Sequence, residues 1–274
     1  MVRMVFADLD DTFLTPDKKI THENAQMLDV AYQRGVQFVP CTGRNIGDVP
    51  RELISHPAVR YAICCNGALV VDAQTRQPVH KVLMEKSAVS ELFRKVRHLN
   101  VTFDIFADGR VYSQRERFGG LINCVDLSGP TRSFVVAGRT LVNEGEEQII
   151  SSVHDITRLN MFYLTDRDRD VAWNAIDSLS NLSRTQSLSC NIEVMSAEAS
   201  KGSSLLWLCE RLGVPVSQTV AFGDNENDRS MLAAAGDGVA MANATDGCKA
   251  AADHVTLSCS ESGVARYLDP LLSV

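Results

Sequence analysis

Two carboxylates two residues apart, Asp8 and Asp10, stand where the apolar run Met4-Val5-Phe6-Ala7 gives way to Asp8-Leu9-Asp10-Asp11-Thr12. A buried strand opening into an acidic loop suits phosphoryl transfer. One carboxylate can attack phosphorus to give an acyl phosphate. The second can protonate the leaving oxygen and then activate water, dividing one hard hydrolysis into two easier steps. Both could also engage Mg²⁺, which offsets the repulsion between two anions and a phosphate. Taken alone, such a pentapeptide is more often a solvated turn, so the reading depends on the rest of the chain.

A second acidic loop, Gly223-Asp224-Asn225-Glu226-Asn227-Asp228, follows the apolar run Thr219-Val220-Ala221-Phe222 and offers many oxygen ligands. Asp224 suits Mg²⁺, Asn227 could donate to a phosphate oxygen, and Asp228 could hold a lysine or a metal-bound water from behind. Ordinary helix N-capping explains one or two of these acids but not so many polar groups after a strand. Thr42-Gly43-Arg44 offers a hydroxyl and backbone N–H groups to an anion, or is a plain strand-to-helix turn. Lys201-Gly202 places an ammonium at a helix start, where it opposes the helix dipole; it could neutralise a nucleophile and a phosphate, or be a solvated surface lysine. Asn66-Gly67-Ala68 is either a side-chain amide at the same edge or a β-turn.

The elements that must position these groups follow a βαβ rhythm: Met4 to Ala7, then His22 to Arg34, Val36 to Cys41, Ile46 to Ile54 and Tyr61 to Cys65. Gly35 reads as a helix C-cap. Right-handed crossovers then bring the strand ends carrying Asp8 and Thr42 to one sheet edge, where ligands bind. From about Leu83 the rhythm changes. A helix over 87–98, paired strands around Gly109, a less legible stretch at 115–145, a helix over 146–153, a strand over 158–164 and a helix over 167–179 point to an inserted α+β domain. The expectation is a parallel α/β core in two parts, 1–83 and 189–274, with an inserted α+β domain at 84–188.

The chain has 274 residues, 45% apolar and 22% charged, which is ordinary for a soluble globular protein of one large or two modest domains. With 34 acidic against 27 basic residues its formal net charge is -7, so neither nucleic acid nor an anionic membrane is indicated as a partner. No apolar stretch is long enough to span a bilayer, and acid at Asp8 comes too early for a signal peptide. Cys41, Cys64, Cys65, Cys124, Cys190, Cys209, Cys248 and Cys259 show no CxxC spacing and read as reduced core residues of a cytoplasmic protein.

The ordered set Asp8-x-Asp10-x-Thr12, Thr42-Gly43-Arg44, Asn66-Gly67-Ala68, Lys201-Gly202, Gly223-Asp224-x-x-Asn227-Asp228 and Gly238-Val239-Ala240-Met241-x-Asn243-Ala244 resembles the haloacid dehalogenase superfamily. Among its members the chain is most similar to Cof-type phosphatases with a cap of the IIB class. The resemblance extends through Ala252-Asp253-His254-Val255-Thr256 and Ser262-Gly263-Val264-Ala265, nearly the whole length. It implies a Rossmannoid core in which Asp8 is the nucleophile and a Mg²⁺ ligand. Asp10 would be the general acid/base, its backbone carbonyl also on the metal, and Asp224 would complete the protein ligands. Thr42, Lys201 and Asn227 would hold the phosphoryl group with the backbone N–H groups of Leu9 and Gly43, and Asp228 would support from behind. Arg44 and Asn66 are candidates for substrate contact. Asp11 stands where many Cof-type sequences have Gly, which leaves the chemistry intact and stiffens the loop. Ala242 replaces a more usual Gly or Asp without functional meaning.

The implied activity is a Mg²⁺-dependent phosphatase, cytoplasmic, monomeric or homodimeric, acting on a small phosphorylated metabolite such as a sugar phosphate or a phosphorylated cofactor. A cap excludes water and large polymers, and its polar residues Arg110, Arg115, Arg117 and Asn160 are the ones to inspect for specificity. The alternatives are a sugar phosphomutase of the same superfamily and a non-catalytic sensor of a phosphorylated ligand. The sensor would usually have lost an acid that this chain keeps.

Overall fold

Met4, Val5, Phe6 and Ala7 have no exposed surface, the condition of a strand inside a parallel sheet covered on both faces. The computed structural model describes residues 1–123 and 129–272. It divides into two compact units, Met1–Lys81 with Ala199–Val274, and Val82–Glu198.

The first unit begins with β1 (Met4–Asp8), α1 (His22–Gln33), β2 (Gln37–Cys41), α2 (Arg51–Ile54), β3 (Tyr61–Cys64), β4 (Leu69–Asp72) and β5 (Pro78–Lys81). The helix expected over Ile46 to Ile54 is split. Pro50 has no N–H to continue it, so a 3₁₀ turn at Ile46–Asp48 precedes the short α2. The hairpin of β4 and β5, which extends the sheet antiparallel beyond β3, was not anticipated.

The second unit contains α3 (Lys86–Val96), β6 (Asp104–Ala107), β7 (Arg110–Gln114), α4 (Arg115–Ile122), α5 (Gly129–Ala137), β8 (Thr140–Val142), α6 (Glu146–Ser152), β9 (Ile156–Phe162), α7 (Asp166–Asp177), β10 (Leu182–Thr185) and β11 (Asn191–Ser196). Its sheet runs β10-β11-β9-β6-β7-β8, antiparallel except between β7 and β8. Val89, Leu92 and Phe93 of α3, Ile149 of α6 and Ile176 of α7 share one apolar cluster with Ile105, Leu159, Met161, Ile192 and Val194 of the sheet. The insert ends at residue 198 rather than 188, because β11 pairs with β9 and β10 and so belongs to this sheet.

The chain returns to the first unit with α8 (Lys201–Leu212), β12 (Thr219–Gly223), α9 (Arg229–Ala234), β13 (Asp237–Ala240), α10 (Asp246–Ala250), β14 (His254–Val255) and α11 (Gly263–Leu272). The finished sheet has the order β14-β13-β12-β1-β2-β3-β4-β5, parallel from β14 through β3. The resulting class is α/β, a parallel-rich sheet flanked by helices, with an inserted α+β unit. Asn24 of α1 ties the ends of the chain together. Its amide donates to the Phe13 carbonyl at 2.9 Å and accepts from the Ala265 N–H at 3.1 Å.

Cys41, Cys64, Cys65, Cys190, Cys209, Cys248 and Cys259 are free thiols; Cys124 lies outside the described residues. Among the described residues no helix is long and apolar enough to cross a membrane.

Candidate active site

Because the strands are parallel, the carboxyl ends of β1, β2, β3 and β12 share one edge of the core sheet. Asp8 ends β1, Thr42 follows β2, Asn66 follows β3 and Asp224 follows β12. Lys201 arrives from another direction, at the first position of α8. There Ser200 caps the helix by accepting from the Ser203 N–H. The Lys201 side chain is completely buried, which decides against a solvated surface lysine. Its Nζ donates to Asp8 Oδ1 at 2.5 Å and to Asp228 Oδ1 at 2.6 Å.

Two glycines allow this approach. Gly67 has φ +98°, and a Cβ there would lie 2.0 Å from the Ser200 carbonyl oxygen, so the turn after β3 can only sit against the start of α8 without a side chain. At Gly223 a Cβ would lie 2.3 Å from the Cβ of Asp228. Asp228 is therefore free to fold back under the loop. Its Oδ2 accepts from the backbone N–H groups of Asp224 at 2.9 Å and Asn225 at 3.1 Å while Oδ1 holds Lys201.

Thr12 completes the cradle by donating its hydroxyl to Asp224 Oδ1 at 2.8 Å. In the sequence Thr12 stands out only as the last residue of the Asp-x-Asp-x-Thr pattern, with no role of its own. Oxygens of Asp8, Asp224 and Asp228 all lie within 4.8 Å of one another. Asp228 has both oxygens engaged, whereas Asp8 and Asp224 each keep one oxygen with no protein hydrogen bond among the described residues. Three buried carboxylates around one ammonium leave an excess of negative charge that a divalent cation would neutralise, and hard oxygens are the donors Mg²⁺ prefers. The donor set fits that metal.

The electrostatics follow. Burial pushes the Asp8 carboxyl well above the usual carboxylate range; Lys201 opposes this, and Asp228, Asp224 and Asp10 add to it. Burial, then the charge of Asp228, push Asp224 up to about 7, against the Thr12 hydrogen bond. Burial alone would lower Lys201, but Asp228 and Asp8 outweigh it and hold the ammonium charged far above its ordinary range.

Asp10 sits in a different environment. Its burial would raise the carboxyl, but Arg44 and Lys18 hold it below the usual range. Arg44 grips it with both arms, Nε to Oδ2 at 2.9 Å and Nη2 to Oδ1 at 2.5 Å, and also donates from Nη1 to the Asp48 carbonyl at 2.9 Å. Lys18 Nζ is 3.0 Å from Asp10 and 3.5 Å from Asp11. Arg44, expected near substrate, is thus directed at Asp10. Lys18 carried no sequence signal beyond its place in a turn after Pro16-Asp17. Asp11 has φ 61°, in the left-handed region, which gives a conformational reason for Gly at this position; an Asp tolerates it better than most residues.

Thr42 is buried and its Oγ1 accepts from the Arg44 N–H at 3.1 Å, holding the turn through Gly43. Asn66, also buried and at φ 55°, accepts from Asn227 Nδ2 at 3.1 Å. Leu9 is buried, and its carbonyl accepts from the Leu14 N–H at 2.8 Å.

Within the insert, three of the four polar residues singled out are tied to structure. Arg117 donates to the carbonyls of Val101, Arg97 and Leu99, and Arg115 to those of Leu141 and the Asn143 side chain. Asn160 donates to Asp104 at 3.3 Å and accepts from Asn191 at 2.9 Å. Arg110 is exposed. The charges around Asn160 leave no signal in the sequence. Arg139 pairs with Asp104 at 2.7 Å, and Arg158 pairs with Glu193 while its guanidinium lies 4.0 Å from the centroid of the Phe106 ring.

Comparison with known proteins gives this arrangement a family. Residues 5–268 match the model of the haloacid dehalogenase-like hydrolases. The phosphatase YwpJ of Bacillus subtilis is 29% identical over 287 aligned residues, covering 99% of this chain and 100% of its own length. From the same organism, the 5-amino-6-(5-phospho-D-ribitylamino)uracil phosphatase YwtE is 27% identical, with 99% of each chain covered. A solved haloacid dehalogenase-like hydrolase from B. subtilis superposes with a TM-score of 0.85 at 28% identity, over 98% of this chain and 100% of that one. With the motif residues gathered on one sheet edge, and with relatives of matching length named as phosphatases, the chain belongs to the haloacid dehalogenase-like hydrolases and is a phosphatase of that superfamily.

Proposed function

We propose that the protein is a cytoplasmic, Mg²⁺-dependent phosphatase that hydrolyses a small phosphorylated metabolite through an aspartyl phosphate on Asp8. One observation carries the proposal: Asp8 has one oxygen fixed by Lys201 and the other without a protein partner, beside an Asp224 oxygen in the same condition. The fixed oxygen orients the carboxylate and the other one attacks. As the Asp8–phosphorus bond forms, the ester bond breaks, and Asp10 gives its proton to the departing alkoxide. In the second half Asp10 takes a proton from water, whose oxygen attacks phosphorus, releasing inorganic phosphate and restoring the Asp8 carboxylate.

Arg44 and Lys18 favour the ionised form of Asp10 that the second half needs. For the first half, Asp10 must loosen from Arg44 to carry a proton. Thr42, Lys201, Asn227 and the backbone N–H groups of Leu9 and Gly43 receive the phosphoryl oxygens, where fixed donors stabilise developing charge. Asp8, the Asp10 carbonyl and Asp224 would hold Mg²⁺, which supplies charge neutralisation for the two anions. Asp228 keeps Lys201 and the Asp224 loop in place.

A substrate among sugar phosphates or phosphorylated cofactors accords with the phosphorylated ribityl compound in the name of YwtE. The free thiols accord with a reducing compartment. The test is release of inorganic phosphate from a panel of sugar phosphates, nucleotides and phosphorylated cofactors, with Mg²⁺ or with chelator, beside Asp8→Asn. Turnover that requires both Mg²⁺ and Asp8 is expected. Equal turnover by Asp8→Asn would remove the covalent mechanism.

A further inference from the structure

Where β2 and β3 begin, at the edge of the core sheet opposite Asp8 and Thr42, the surface opens into a cleft of about 720 Å³. From Gln37 to Thr42 an extended chain covers roughly 16 Å, so this cleft is distinct from the catalytic edge. Its volume is that of a small-molecule site. Tyr32 at the end of α1, Gln37 at the start of β2, Arg51 and His56 in and after α2, Arg60 before β3 and Arg76 between β4 and β5 all line it.

The charge of this lining is unlike that of the chain. Three arginines contribute and no carboxylate does, in a protein of formal net charge -7. Asp72 answers Arg60 at 3.1 Å. Arg76 donates to the Ile46 carbonyl at 3.4 Å, which leaves its charge uncompensated. The Arg51 side chain makes no hydrogen bond or ion pair among the described residues. The His56 ring is held on both sides, Nδ1 at 3.2 Å from the Ala58 N–H and Nε2 at 3.2 Å from Asp29. A further feature would be idle with a simple anion: Tyr32 is 56% exposed and offers an aromatic face.

We infer that this cleft binds a nucleotide. Arginine forks suit phosphate oxygens, and an exposed aromatic ring suits a base. The assignment places the phosphates at Arg51 and Arg76 and the base on Tyr32. It does not depend on the phosphatase mechanism, and a failed phosphate-release assay would leave it standing.

The test is calorimetric titration of ADP, GDP, UDP and CDP, with pyrophosphate alongside, into full-length Asp8→Asn protein without divalent metal, so that nothing is turned over. One nucleotide per chain is expected, bound at least tenfold more tightly than pyrophosphate. Arg51→Glu and Tyr32→Ala should each weaken it at least tenfold. Both residues are exposed, and Glu at the first position of α2 suits the helix dipole, so unchanged thermal melting should accompany the loss. Absence of binding at millimolar nucleotide, or binding unaffected by Arg51→Glu, would overturn the site. Pyrophosphate binding as tightly as the nucleotides would overturn the assignment of a nucleotide.

Discussion

In the core, Asp8 and Asp228 share a single buried ammonium with the Asp224 carboxylate close beside them, and one oxygen each of Asp8 and Asp224 has no protein hydrogen bond among the described residues. In the insert, Arg139 meets Asp104 and Arg158 meets Glu193, each carboxylate facing one guanidinium and one serine hydroxyl. Ser113 donates to Asp104 at 2.6 Å and Ser187 to Glu193 at 3.0 Å. Both regions bury charge beside a sheet, but only the core leaves it unbalanced. A balanced buried pair is scaffold: its charges cancel, which leaves no net charge for a ligand to offset. An unbalanced cluster is held in place by the fold at a cost in stability, which a cation or a phosphoryl group can offset.

The largest expected effect of breaking the contrast is at Asp8. Replacement by Asn keeps the shape and removes the nucleophile, and turnover should fall by on the order of 10³-fold or more; phosphate release at fixed substrate checks it. Lys201→Met should lower kcat by about 10²- to 10³-fold, as removal of a charged donor to the transition state does. Single-turnover measurements at saturating substrate would separate that from weaker binding.

In the insert the corresponding damage should appear in stability instead. Asp104→Ala leaves Arg139 buried without its carboxylate and should cost about 3–5 kcal/mol in denaturant unfolding. The double variant Asp104→Leu with Arg139→Met should recover most of that loss. A single variant as stable as the wild type would mean that the pair is not the structural element its balance implies.

The smallest effect concerns pH. In the metal-free protein, the Asp8 and Asp224 carboxyls lie above their unfolded value near 4, Asp224 at about 7. The folded state then retains protons that the unfolded chain has released. The contribution of this cluster to stability is thus present below about pH 4 and lost as pH rises through about 7. Between about pH 5 and about pH 8 the wild type should lose melting temperature relative to Asp224→Asn, and Mg²⁺ should restore it at the upper end. A difference that does not change with pH would show that the cluster is already compensated.

The parallel half of the fold was legible because its strands are short apolar runs closed by Gly or acid. The motif residues sit on the same runs, so Asp8, Thr42, Asn66 and Asp224 came to one edge as soon as the strands were taken as parallel. What the sequence concealed depends on tertiary partners. Pro50 divides a segment that reads as one amphipathic helix. The strands β4 and β5 follow a turn through Cys65, Asn66 and Gly67, all at positive φ, which no periodicity announces. The bidentate hold of Arg44 on Asp10 joins residues 34 positions apart, and a lysine as ordinary as Lys18 shares it. In the insert, the stretch 115–145 contains two short helices and a three-residue strand, too brief for any pattern to accumulate.

The strand order has a consequence for biosynthesis. β1 is flanked by β2 on one side and by β12 on the other, so β1 gains one of its two neighbours only after Gly223 has been made. At 5–20 residues per second the interval is roughly 10–40 s. During it the nascent chain can pair β1 with β2, β3 and the hairpin that follows, and can complete the inserted unit, yet an apolar strand edge stays open. That edge is the natural target for a chaperone and the natural starting point for aggregation. Lys201 and Asp224 arrive in the same late segment, so the chain acquires its chemistry at the moment its central sheet closes.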